Sequence, residues 1–175
     1  MSAALSPACL TGATYLKRPV REVHRFMNAS EPFPNDFYPD QELAHVQLSN
    51  AEAHLRSAAW ALSRGMANDA LHSIAIAIEL GLKSYLLNAA TTDAWNRAHI
   101  GHDLDKAITY AERAGLDPPS GLRDVARVLH PHFQRGGFQR EPSRQWPEAL
   151  AGQACSVAST LLVSVSKSIG PRRDI

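Results

Sequence analysis

Arg123, Arg127 and His130 stand four and three residues apart, so on an α-helix they share one face, opposite a stripe of Leu122, Val125, Ala126 and Leu129. Guanidinium groups bind phosphate oxygens bidentately. An imidazole that titrates near neutrality can move a proton while a ribose 2′-hydroxyl attacks a phosphodiester. Such a site needs no metal, because arginine stabilises the added charge on phosphorus while histidine acts as base or acid. The wider segment is locally basic: Arg123, Arg127, Arg135, Arg140 and Arg144 face only Asp124 and Glu141, with His130 and His132 in addition. The same residues also suit a solvated arginine face whose work is solubility.

Three other groups carry polar chemistry. His72, Glu79 and Lys83 are spaced seven and four apart, which fits a proton-handling cluster or, more simply, an i,i+4 ion pair on a buried helix. His99, His102 and Asp103 have ligand-like spacing, yet nothing supplies a third or fourth donor, so no metal or other cofactor is expected, and His102 reads as a helix cap or a hydrogen bond to the bundle. Cys155 lies among small residues without a base nearby in sequence, which suits a buried, inert thiol. Phosphate-binding glycine loops, a nucleophile elbow and HExxH are absent from the sequence.

The elements that must position these residues follow from composition and period. The chain has 175 residues, 45% hydrophobic and 20% charged, with a net charge of +1: one globular domain, without the overall charge of a polyanion-coating protein. Cys9 and Cys155 fit no disulfide or zinc pattern, and the first ten residues lack a signal peptide's charge pattern, so the expected location is cytoplasmic. The apolar run Ala154 to Val165 falls short of a bilayer span and is expected to be a core helix, with no membrane partner.

Residues 1–39, punctuated by Pro7, Pro19, Pro32, Pro34 and Pro39, read as an irregular arm with a basic stretch at Lys17, Arg18, Arg21 and Arg25. Its aromatic end, Phe33 to Pro39, is expected to pack on the body. Residues 40–170 read as the helical body. Asp40 caps a first helix that ends at Arg64-Gly65-Met66, and Asn68 is expected to cap a second, central helix striped with Leu71, Ile74, Ile78 and Leu82. A third begins around Gly101-His102 and ends at Gly115-Leu116. A fourth runs from Ser120 until Pro131 stops it. Residues 133–145 read as a loop, and a last helix with Pro147 at its first position carries Ala151, Cys155, Ala158, Leu162, Val165 and Ile169. The fold class is all-α, a four- to five-helix up-down bundle.

Three stretches resemble the HEPN family, helical domains named for nucleotide binding in higher eukaryotes and prokaryotes. They are Ala70 to Leu87 with its Glu79 and Leu82-Lys83, the His102-Asp103-Leu104 helix start, and Ala126 to Leu129 followed by Arg140-Glu141-Pro142 and the small-residue last helix. Together they cover about residues 42 to 169. The resemblance implies nucleotide or RNA binding through Arg123, Arg127 and Arg140. It also offers a metal-independent endoribonuclease built on an arginine, four to six residues, then a histidine. Arg123 with His130 fits that spacing, with Asp124 after the arginine, and Arg127 with His132 fits it less well. His132, His102, Arg135 and Arg144 are secondary candidates. The resemblance further implies a homodimer, or a partner module of a toxin–antitoxin or nucleotidyltransferase system.

Overall fold

The computed structural model describes residues 31–134 and 136–171; Cys9 and the basic stretch of the arm lie outside these. Among the described residues the protein is all-helical: α1 (Gln41–Ser63), α2 (Ala67–Ala89), α3 (Asp93–His99), α4 (Leu104–Arg113), α5 (Leu122–Phe133), α6 (Gly137–Arg140) and α7 (Glu148–Ile169). The five expected helices are present, and two short ones, α3 and α6, bring the described total above the expected four to five.

Local chemistry sets most helix ends. The Asp40 carboxylate accepts from the Leu43 N–H at 3.0 Å and starts α1. At the other end the Met66 N–H bonds the Ala61 carbonyl while that of Gly65 bonds Leu62, a Schellman closure that needs the φ of +71° found at Gly65. Leu116 and Gly115 close α4 in the same way onto Ala111 and Glu112. The Asp40 N–H donates to the Leu87 carbonyl and the Ser84 hydroxyl to that of Ala44, so α1 and α2 run antiparallel.

α2 is the hub, in contact with α1, α4, α5, α6 and α7. Its expected stripe is fully buried, and so are Ala70, Ala77 and Leu87. The small-residue character of α7 lets it come close to α2: an added Cβ on Gly81 would meet the Leu162 Cδ2 at 2.5 Å. The aromatic end of the arm behaves in two ways. Phe33 packs on Trp95 and Tyr110, whereas Tyr38 stays exposed.

Several boundaries differ from expectation for identifiable reasons. Met66, not Asn68, precedes the first turn of α2, because the Asn68 side chain is used elsewhere. His102 does not cap α4; the Asp103 carboxylate does, accepting from the Lys106 N–H at 2.9 Å. α5 starts after a left-handed Gly121 and continues through Pro131 to Phe133, since the ladder resumes with the Gln134 N–H on the His130 carbonyl. The expected loop 133–145 contains α6. Thr92 caps the unanticipated α3 by accepting from the Trp95 N–H.

Candidate functional site

The polar edge of α5 reaches α4 through Arg123 and His130, while Arg127 stays exposed to solvent. α5 buries Leu122, Val125, Ala126 and Leu129, and the adjoining edge clips to α4 at both ends. Arg123 donates through Nε and Nη2 to the two carboxylate oxygens of Glu112 near the end of α4. At the other end, His130 Nδ1 accepts from the Leu104 N–H at 3.4 Å and lies 4.0 Å from the Asp103 carboxylate. With Nδ1 as acceptor, the neutral ring carries its hydrogen on Nε2. Arg127 pairs with Asp124 one turn away at 2.9 Å. Seven residues of helix rise separate Arg123 from His130 by about 10 Å along the axis, so the two are not held in contact.

Beyond the end of α5, a second set of candidates gathers around Trp146. The Trp146 indole N–H donates to the Asn68 side-chain oxygen, and the Asn68 amide donates to the carbonyls of Glu141 and Pro142 at 3.1 and 2.9 Å. One side chain thus pins the whole turn 141–146 to the start of α2. The Arg144 guanidinium lies over the Trp146 ring at 4.7 Å and bonds Glu141 at 2.9 Å. His132 stands edge-on to the same indole at 5.0 Å. Arg140, on α6, is exposed and forms no ion pair among the described residues; Arg135 lies outside the described residues. Arg140 and Arg144 therefore sit past the C-terminal end of α5, while Arg123 sits in its first turn.

The third set joins a buried ion pair to an exposed histidine. Glu79 and Lys83 form an ion pair at 2.5 Å, with Glu79 only 5% exposed, and His102 Nδ1 lies 3.0 and 3.1 Å from the two Glu79 oxygens. As the carboxylate can only accept, the contact places a hydrogen on His102 Nδ1; in the neutral ring Nε2 is then the acceptor, on a side chain that is 75% exposed. A carboxylate that orients an imidazole in this way is the arrangement of a general base. His72 is not part of it. That ring packs instead on Phe133 and Phe138, joining an aromatic chain that runs through Phe138 to His132 and Trp146.

Electrostatics follow this packing. Burial holds His72 below the ordinary imidazole value, helped by His54 and opposed by Asp69. Burial likewise lowers His132, reinforced by Arg144 and opposed by Glu141. Burial pushes the Cys155 thiol up, away from the reactive thiolate. Among the described residues no three His, Cys, Asp or Glu side chains converge as a metal site.

No sequence signal announces the Asn68–Trp146 lock. Its partners are 78 residues apart, and each read plausibly as something local, a helix cap and a helix start. The Glu79–Lys83 pair was visible as an i,i+4 spacing; its link to His102 was not. No protein family, curated protein or solved structure matches the chain.

Proposed function

We propose that this protein is a HEPN-like up-down helical bundle that binds a nucleotide or RNA phosphate through the arginines of segment 123–144. The observation that carries this reading is the pinned turn 141–146: Asn68 and Trp146 hold Arg144 in place beside His132, with exposed Arg140 on the adjoining α6. Arg127 adds a further exposed guanidinium. Their carboxylate partners, Asp124 and Glu141, are themselves exposed, and surface ion pairs of this kind contribute only about 0–1 kcal/mol, so a phosphate can displace them. Arg123 is more firmly held by Glu112 and contributes chiefly to α4–α5 packing.

Titrating a fluorescent single-stranded RNA across salt concentrations tests the reading. Three phosphate contacts give a slope of log K on log salt of about −2, and removing one changes it by about 0.7. Arg140→Ala and Arg144→Ala should each flatten the slope by that amount. Binding that ignores salt, or no binding at all, counts against the proposal.

The His102–Glu79 contact favours a second reading, a metal-independent endoribonuclease in which an outward imidazole accepts the 2′-hydroxyl proton. RNA cleavage in EDTA should then fall at least about a hundredfold in His102→Ala, the size typical of a lost general base. His130→Ala and Arg123→Ala separate this route from one through the arginine–histidine spacing. Equal cleavage by wild type and all three variants, or none, removes both.

A further inference from the structure

We propose that the groove between α1 and α7 binds one molecule of a fatty carboxylate, with its acyl chain lying between the two helices and its head group held by Arg56 and Lys167. α2 and α7 are nearly equal in apolarity, yet 72% of the apolar window of α2 is buried against 33% of that of α7. An apolar helix left this open within a globular domain marks a surface that something covers.

Helix direction gives the groove two unlike ends. α1 and α2 run antiparallel, whereas α7 runs with α2: Trp146, just ahead of α7, bonds Asn68 at the start of α2, and Leu162 lies against Gly81 farther along both. α7 is therefore antiparallel to α1. Lys167 falls at the same end of the groove as Glu52, with Arg56 one turn farther in, and Cys155 falls at the other end with Ala59. Leu55, Leu162 and the exposed Val163 supply apolar wall. The groove has a volume of about 640 Å³, within the range of small-molecule sites. The helix rise from Cys155 to Lys167 is about 18 Å, long enough to lay an extended acyl chain along it. Charge at one end and hydrocarbon along the rest is the profile of an amphiphile.

The charges decide the head group. Arg56 and Lys167 stand on opposite walls, and neither they nor Glu52 form an ion pair among the described residues. Two bases against one acid favour an anion over a cation. Both bases can lay their methylenes along an acyl chain and keep their charged ends at its carboxylate. A small hydrophilic anion would leave the apolar walls bare, and an uncharged hydrocarbon would leave the bases unused. A recess between two helices receives one chain, where a bilayer presents a flat surface. The inference stands apart from phosphate binding, whose residues lie on α5, α6 and the pinned turn.

Calorimetric titration of the full chain with dodecanoate below its micelle concentration is the test, with dodecanol and dodecylammonium carrying the same tail on other heads. Dodecanoate should bind once per chain and about fivefold tighter than dodecanol, the size of one or two surface ion pairs. Dodecylammonium should bind more weakly than either. Decanoate should lose about tenfold, the worth of two buried methylenes. Arg56→Gln with Lys167→Gln should bring dodecanoate to the level of dodecanol and leave dodecanol unchanged, while Glu52→Gln should tighten dodecanoate. Val163→Glu should remove all three ligands, with circular dichroism checking that each variant stays folded. Bound dodecanoate should slow the reaction of Cys155 with a maleimide several-fold, resolved from Cys9 by peptide mapping. No saturable binding, equal affinity for dodecanoate and dodecanol, binding indifferent to Val163→Glu, or binding to anionic vesicles without binding of the monomeric acid would overturn the proposal.

Discussion

Glu79 shows how far one residue's role depends on its partners. Its carboxylate sits under the fold with Lys83 on one side and the His102 ring on the other. Removing one member of a buried pair leaves the other charge desolvated and alone. Glu79→Ala should therefore cost about 3–5 kcal/mol in chemical denaturation, while Glu79→Leu combined with Lys83→Met should cost far less or even stabilise. A double mutant no more stable than the single would remove the pair from the stability of the core. Asn68 is a parallel case at the surface. Its three hydrogen bonds, to Trp146, Glu141 and Pro142, serve the turn and not the helix it begins, so its loss is felt through the 141–146 segment.

Among the helices, the α2–α7 contact is the tightest constraint. A methyl group at Gly81 fits only if the tip of the Leu162 side chain shifts, so Gly81→Ala should destabilise by at most about 1–3 kcal/mol, offset in part by alanine's better helix propensity. Shortening the obstacle in Gly81→Ala with Leu162→Ala should recover part of that loss, and a strictly additive pair would place the strain elsewhere. Long helices with a steady 3.6-residue period, such as α1, α2 and α7, were legible because each buried face is written in consecutive turns. The glycine closures at Gly65 and Gly115 were legible because a Schellman end is encoded within six residues. α3 and α6 were not, since seven and four residues hold too little period to register. Pro131 misled for a related reason: one missing N–H in the last turn costs little when Phe133 gains contacts with the His72 and His102 rings. The candidate site was legible as residue types. Its geometry depended on pairings such as Arg123 with Glu112 and Trp146 with Asn68, which no spacing announces.

For the molecule as a whole, His72 and His132 give stability a pH dependence whose sign can be worked out. Both are held below the ordinary value of 6.5, so below that pH the unfolded chain binds protons that the folded chain refuses. Stability is thus fully present above about 6.5 and declines as pH falls from there toward the lowered values. The denaturant midpoint should drop as pH falls below about 6.5, and His72→Phe with His132→Phe should flatten that stretch of the profile; an unchanged slope would assign the dependence to other groups. The position of α2 has a consequence of another kind. Five helices rest on it, so the amides in its middle turns should meet solvent only in openings that approach global unfolding. In deuterium exchange α2 should be the last element to label, with α3 and α6 among the first. Regulation that works by loosening this protein would then act from its rim, on the short helices that rest against the centre and not on the centre itself.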